Sequence, residues 1–562
     1  MVEYDPQERE LVKTLDKKLI PFLAVLYLSI LLDRSVQLNT RLTNPTTRAG
    51  LAKDLDMNNS DFSWALISFS IGSILFALPA TLTFRLIGSS RWFVTNVVCV
   101  FHGSTLNQCV VYDSNMFFSW GLIAATTAST SNFAGFLVTR IFLGIVQAGF
   151  VPCILLYVVS FYTKEELATR FSYIISSATA VSSASGLITH YLARADGVMG
   201  LAGWQWTFIV QGLLGVTMGC ITLMLLPSFP ETCHFLSTAD RVLAASRGRD
   251  GAEDDTNLLI TGITKKTKEP IFKFHMIQLL DIVKDPRYWL LALIFFLASV
   301  ALDCLIILSP EVVVTSFEFN PSDLRNVTGG ELDIIISDND NGNIPAILLS
   351  TAPYLLASVV ALGVSFHSDN SGERAIHGAI PLLTSSVGFF FMAMLPPKYP
   401  GAGPARYFIG LIPAAGGLIT AVPSILSYAM EKAQGDTSRA TAAALTVVFG
   451  NSLGIALAGQ PDLFRSSEAP TYPIVCVMCA VSTGLAAALL LLVKWLNQRE
   501  EDNTWGKAPG LRRLLNDADE AKAWDVELSN LDFLKTEGGY DAGMDSPEPH
   551  ERWSEDQQFE SL

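Results

Sequence analysis

Residues 133–160 read FAGFLVTRIFLGIVQAGFVPCILLYVVS, an apolar run in which Arg140 is the one Lys, Arg, Asp or Glu. Coiled as an α-helix at 1.5 Å per residue, such a run is longer than the roughly 30 Å hydrocarbon core of a bilayer. Comparable runs recur on both sides of it, from about Leu19 to about Trp495. They place predicted spans at 19–38, 62–84, 113–131, 133–160, 171–193 and 206–227, then at 287–309, 344–366, 376–396, 404–429, 440–460 and 472–495. The whole chain agrees: of 562 residues 50% are hydrophobic and 16% charged, with a mean hydropathy of +0.37. A soluble protein of this length would need several domains, and so few charges cannot cover their surfaces. The reading is an all-α membrane protein of twelve transmembrane helices in two six-helix bundles.

The two sets of six runs are separated by residues 228–286, which carry Arg241, Arg247, Arg249, Lys265, Lys266, Lys268, Lys273 and Lys284 and are too charged to enter lipid. The expected order is an N-terminal segment (1–18), a first bundle (19–227), this central loop, a second bundle (287–495) and a tail (496–562). The tail holds 17 Asp and Glu against 7 Lys and Arg, so -10 of the net charge of -15 sits there. With both termini in the cytoplasm, 28 of the 38 Lys and Arg fall inside, and positive residues near helix ends are retained on that side. The sequons at Asn58 and Asn326 then lie outside, where glycans can be added. No small-residue cleavage site follows the first run, which is expected to be a retained helix. A moderately apolar stretch from Trp92 to Tyr112 is interrupted by His102, Gly103, Asn107 and Gln108. A thirteenth span there would invert everything after it, so the cation count favours an insertion beside the third helix.

An ionisable side chain inside a span costs at least a few kcal/mol and is kept where it meets a partner or lines a cavity. The candidates are Asp33, Arg34, Arg140 and Asp303, with His190 and Glu311 near helix ends. Helical spacing puts Arg140, Gly144 and Gln147 on one face, where a guanidinium and an amide would meet one cavity beside the cleft left by a glycine. Gly149 and Pro152 can bend that helix, because proline removes a backbone donor and clashes with the preceding turn. A permanently charged, bidentate donor suits a carboxylate ligand; alternatively Arg140 pairs with a carboxylate such as Asp33 and holds helices together. Asp33 and Arg34 are expected near the outer end of the first span, snorkelling or functional. Asp303 is expected about 9 Å from the outer end of the seventh. Cys476 and Cys479 sit in an apolar run with no partner pair and read as packing. No metal-ligand cluster, catalytic triad or phosphate loop is present in the sequence, which argues against an enzyme and predicts no cofactor.

The layout of six runs, a charged loop and six runs resembles the major facilitator superfamily. Several strings are similar to its fungal anion:cation symporter branch, the allantoate permease-like group. They are Leu32-Asp33-Arg34 with Asn39, Arg140-x-Phe-Leu-Gly144-x-x-Gln147-Ala-Gly149-Phe-x-Pro152, and Trp204-Gln205-Trp206-x-Phe208-Ile-x-Gln211-Gly212. In the second half Ala352-Pro353-Tyr354, His367-Ser368-Asp369, Gly450-Asn451 and Ala469-Pro470-x-Tyr472 continue the likeness, which covers roughly residues 10 to 535.

The resemblance implies a transporter that rocks between two openings around a cargo site near the midplane. It implies a small organic anion as cargo, usually carried with protons, in the plasma membrane, with the bilayer as environment, no nucleic-acid partner and a monomeric chain. The substrate-binding candidates are then Arg140, Arg34, Gln147, Asn39 and Asn451, and the conformational ones Gly144, Gly149, Pro152, Asp369 and Arg374. The branch usually has Glu where this chain has Gln147 and Gln211, and a neutral amide cannot carry a proton on and off. Either Asp33 or Asp303 takes over coupling, or the protein is a uniporter, or it is a sensor of the same fold that signals without carrying. The Asp of the loop between helices two and three is also missing from Phe84–Arg91, whereas the matching loop keeps Asp369 and Arg374. Segments 43–48, 99–115 and 325–342 are longer than the branch pattern and read as insertions or as unspliced intron sequence.

Overall fold

A computed structural model describes residues 6–42, 51–57, 59–87, 116–247 with gaps at 186–187, 189–190, 193–194, 228, 231–232 and 234, 276–317, 343–395, 402–464 with gaps at 432, 434–435, 459 and 461–462, and 471–505. The sequons at Asn58 and Asn326, the stretch from Trp92 to Tyr112, His190 and the three long segments lie outside the described residues. Arg34, Asn39 and Glu311 lie on described helices, but their side chains are outside the description.

The described residues are built of helices: α1 (Pro6–Lys18), α2 (Ile20–Leu42), α3 (Asn59–Ile87), α4 (Met116–Thr127), α5 (Phe133–Gln147), α6 (Phe150–Val159), α7 (Leu167–Ser182) and α8 (Gly203–Leu225). Beyond them come α9 (Thr238–Arg247), α10 (Met276–Lys284), α11 (Pro286–Phe317), α12 (Asn343–Ser371), α13 (Arg374–Met394), α14 (Ile412–Glu431), α15 (Asp436–Ala444), α16 (Gly450–Ala458) and α17 (Pro473–Trp505). Each of the twelve predicted spans falls on one or two of these. Eight stretches among the described residues are long and apolar enough to cross a membrane: Trp64–Leu82, Phe133–Val159, Pro286–Ser309, Leu349–Ser371, Arg374–Met394, Gly403–Glu431, Thr437–Ala458 and Pro473–Arg499. Residues 1–494 form one compact unit and 495–562 a second, in which the described residues are the end of α17.

Local sequence accounts for the breaks. Asn132 caps α5, its side-chain oxygen accepting the Gly135 N–H at 2.7 Å. The run 133–160 is not one continuous helix, for it is interrupted between Gln147 and Phe150. Pro152 has no N–H to give the carbonyl of Ala148, so α6 restarts from Gly149, whose carbonyl accepts the Cys153 N–H at 2.9 Å. Two π-helical turns, Arg406–Leu411 and Leu445–Phe449, interrupt the long helices that end in α14 and α16.

Glycines set how close helices come. A Cβ on Gly144 would lie 2.1 Å from the carbonyl oxygen of Phe69, and one on Gly72 would lie 2.4 Å from that of Ile141, so α3 and α5 touch backbone to backbone. Gly121 and Gly212 do the same for α4 and α8. Without a hydrophobic driving force between helices in lipid, such close approach supplies the packing energy. Large apolar residues such as Leu75, Leu122, Leu213, Val359 and Val481 are exposed, as a lipid-facing surface requires.

Two helices are longer than their apolar runs. Asp33 is followed by nine further residues of α2, so the helix runs on past the end of the apolar run. Asp303 lies six residues, about 9 Å, before the end of the apolar span at Ser309, and α11 runs on to Phe317. In both cases polar or charged residues past the apolar run continue the helix, because backbone hydrogen bonding does not stop where hydropathy does.

Candidate functional site

A cavity enclosing about 1460 Å³ of empty space, part of it continuous with solvent, lies among helices from both halves of the chain. Tyr27, Ile30 and Asp33 come to it from α2, Phe69 and Ser73 from α3, and Gln147 from the end of α5. Ile175 and Thr179 come from α7, Phe295, Ser299 and Asp303 from α11, and Asn451 and Ser452 from α16. The π-turn contributes Val447 and Val448, and the restart of the fourth span contributes Val151 and Pro152. Two of the three backbone irregularities described above thus border the cavity, and the turn Arg406–Leu411 does not.

Asp33 is its most constrained polar group. It is 2% exposed, and its two oxygens accept from two amides: Oδ2 from Gln147 Nε2 at 2.9 Å, and Oδ1 from Gln211 Nε2. The two glutamines that stand where the related branch usually has acids are therefore donors to a carboxylate on another helix. Arg140 lies behind this group as its electrostatic partner. Its guanidinium sits 4.7 Å from the Phe136 ring centroid and 5.0 Å from that of Phe208, and both faces suit a cation. Arg140 is 2% exposed, and its Nη2 has no hydrogen-bond partner. The Phe208 ring packs edge-on against Trp204, whose indole N–H donates to Asp54 at 2.7 Å.

The expected common face of Arg140, Gly144 and Gln147 is not a common wall of the cavity. Gln147 borders it, Gly144 is pressed against α3, and Arg140 is screened by its own rings. Helical spacing gave the angular relation of the three, but a face about 10 Å long meets different neighbours along its length. Of the other expected residues, Asp33, Asp303, Asn451 and Pro152 border the cavity and Asp369 and Arg374 do not.

Asp369 and Arg374 meet at one end of the bundle. The Asp369 carboxylate accepts the backbone N–H groups of Ala168 at 3.1 Å and Thr169 at 2.7 Å, at the N-terminus of α7, where the helix dipole favours an anion. Arg374 pairs with Asp369 at 3.0 Å and with Glu431 at 2.9 Å, and donates to the Lys164 carbonyl. A second tier lies on the first half: Arg247 from the central loop pairs with Glu166 at 2.9 Å, and Arg170 pairs with Asp16 of α1 at 3.0 Å. Together they join the two halves across that end. Sequence reading singled out Asp369 and Arg374 but not Glu166, Arg247 or Glu431, which are ordinary charges until the loops are folded together.

A family model described as Major Facilitator Superfamily matches residues 23–459. The MFS transporter prlL of Fungal sp. (strain NRRL 50135) is 27% identical over 446 residues, covering 79% of this chain and 78% of that protein. An Agrobacterium vitis protein named as a tartrate transporter is 26% identical over 385 residues, covering 68% and 73%. Among solved structures, the proton:xylose symporter XylE bound to 6-bromo-6-deoxy-D-glucose superposes with a TM-score of 0.51 at 13% identity, over 83% of this chain and 95% of that one, a likeness of fold.

Proposed function

The chain belongs to the major facilitator superfamily of membrane transporters, and from that premise we propose that it moves a small organic anion by alternating access, with Asp33 as the proton-carrying group. The observation that carries the reading is the Asp33 carboxylate at the cavity wall, held by Gln147 and Gln211 with Arg140 behind it. While Asp33 is ionised it occupies the field of the guanidinium. Once it is protonated, the guanidinium behind it is left uncompensated, and its field favours an incoming carboxylate at the Asp33 wall. Asn451 and Ser73 are neutral groups placed to orient that cargo. The relative named for tartrate supports a carboxylate as cargo, and the motifs around Arg140 and Gln211 support the allantoate permease-like branch.

The same proposal takes twelve spans, bundles at 19–227 and 287–495 joined by the loop 228–286, the tail 496–562, and both termini in the cytoplasm. It places a monomer in the plasma membrane. The Asp369–Arg374 network then closes the cytoplasmic side, and the cavity is the cargo site facing away from it.

One observation favours a second reading. Among its described bordering residues the cavity has the carboxylates Asp33 and Asp303 and no Lys or Arg, and most of the rest are apolar. That lining suits a cargo with an apolar body and a cationic nitrogen, exchanged for protons on the same carboxylates. Uptake of labelled tartrate and of a labelled lipophilic amine into cells, across pH and with Arg140→Ala beside the parent, separates the two. Anion uptake that rises as pH falls and disappears in Arg140→Ala supports the first. Amine uptake that survives Arg140→Ala replaces it with the second, and equal tartrate uptake by both forms removes Arg140 from the site.

A further inference from the structure

The α12–α13 turn brings together two imidazoles that the cargo site does not use. His367, on the last turn of α12, and His377, on the first turn of α13, have Nδ1 and Nε2 respectively only 2.6 Å apart, with ring centroids at 4.9 Å. The His377 Nδ1 faces the Glu373 carbonyl and donates its proton there. A carbonyl oxygen only accepts, so with a neutral His377 ring its Nε2 is the lone pair and the hydrogen between the rings belongs to His367 Nδ1. An imidazole whose far N–H is held by a backbone carbonyl is oriented as metal-binding histidines are.

We propose that His367 and His377 form a two-imidazole site for a transition-metal cation such as Zn²⁺, at the end of the bundle closed by Asp369 and Arg374. Two nitrogens at about 2.05 Å from a tetrahedral zinc stand roughly 3.3 Å apart, so the pair must open by about 0.7 Å from its present separation. His367 is exposed and free to make that rotation, and its hydrogen moves to Nε2 on the solvent side. Among the described residues no cluster of three or more His, Cys, Asp or Glu is arranged to hold a metal, so water completes the coordination sphere. The charged neighbours are Asp369 on α12, Glu373 and Arg374 at the start of α13, and Lys494 of α17, which pairs with Glu373 at 2.6 Å. Arg374 and Lys494 leave Asp369 and Glu373 neutralised, so the two rings are the donors that recruit the cation. A cation there ties α12 to α13 across residues 369–374 and opposes any motion that parts them.

Purified full-length protein is titrated with Zn²⁺ against a chromophoric indicator, beside His367→Ala and His377→Ala, and thermal unfolding is recorded with and without Zn²⁺. Expected are one Zn²⁺ per chain, a loss of about tenfold or more in affinity in each variant, and a rise in the unfolding midpoint confined to the parent. Both variants binding as the parent does, or a parent that binds no stoichiometric Zn²⁺, overturns the site. Electron paramagnetic resonance of the parent with one equivalent of Cu²⁺ needs no variant: coupling to two imidazole nitrogens supports the pair, and a spectrum without it rejects it. None of these measurements depends on the cargo.

Discussion

Replacing Asp33 with Asn keeps the shape of the side chain and removes its charge. The carboxylate accepts two amide N–H groups, and charge-assisted bonds of that kind are worth about 1.5–3 kcal/mol each. Part of this is recoverable. Gln211 Oε1 is buried without a partner, so a flip of that amide lets it accept from the new Asn Nδ2 while Gln147 continues to donate to the Asn oxygen. The charge opposite Arg140 is not recoverable, because that guanidinium is 2% exposed and its Nη2 already lacks a bond. Breaking one side of such a buried pair costs about 3–5 kcal/mol, whereas replacing both sides with groups of similar shape is close to neutral. Asp33→Asn should therefore lower the stability of the purified protein in detergent by several kcal/mol, and Asp33→Asn with Arg140→Leu should regain most of it. Thermal unfolding of the four members of this cycle measures the coupling. Additive losses, with the double variant weaker than either single one, would refute an electrostatic pair. Uptake by Asp33→Asn that keeps the pH dependence of the parent would refute proton carriage by this residue.

Gly144→Ala puts a methyl carbon 2.1 Å from a backbone oxygen where ordinary contact begins at 3.4 Å, so α3 and α5 must part by more than 1 Å. The expected cost is about 1–3 kcal/mol or more, read as a lower unfolding midpoint in detergent, while Gly363→Ala, where a Cβ meets nothing within 4 Å, should leave it unchanged. Asp369→Asn removes the anion from Arg374 and from the N-terminus of α7. If those contacts exist only in the closed arrangement, losing about 3 kcal/mol shifts its population roughly a hundredfold. Thr179→Cys, at the cavity wall, should then be labelled faster from the face that carries Asp369, and unchanged labelling counts against the latch. Burial pushes the Cys233 thiol, outside the spans, up to about 11. Its thiolate is therefore scarce at neutral pH, and maleimide should spare it there and react as the pH climbs toward that value. Rapid labelling at pH 7 contradicts the burial.

The spans were legible because twenty apolar residues have few other places to be. The candidate list was legible too, because a charge inside an apolar run is rare enough to name at sight. What the residues do to one another was not. Arg140 looked like a group facing the cavity because spacing along one helix fixes an angle, and only the rings of Phe136 and of Phe208, 68 residues later, turn that angle into a closed compartment. Gln211 stood out only as a departure from a pattern, and its meaning as a donor depends on a helix 178 residues away. The length of α2 past Asp33 was not legible either, because the polar residues from Arg34 onward end the apolar run without ending the helix, which continues to Leu42. Glu166 and Glu431 carried no signal, since charges in loops and at helix ends are ordinary.

One helix connects the latch with the cavity. Asp369 holds the N–H groups of Ala168 and Thr169, and on the same helix Ile175 and Thr179 border the cavity six to ten residues further on, about 9–15 Å along α7. Between those points α7 is fastened again to the second half: Ser358 of α12 donates to the Ser176 carbonyl at 2.9 Å. Because α12 carries both Ser358 and Asp369, α7 and α12 meet along their length across the boundary between halves. Releasing the Asp369 end therefore frees the helix whose far portion shapes the cavity wall, and a cargo that moves Ile175 or Thr179 loads the same rod from the other end. Coupling of this kind needs no chain of intermediate switches. It needs one stiff helix with a contact at each end that differs in strength between two arrangements, and in the proposed transport cycle the Asp369–Arg374 pair is the contact assigned to one of them.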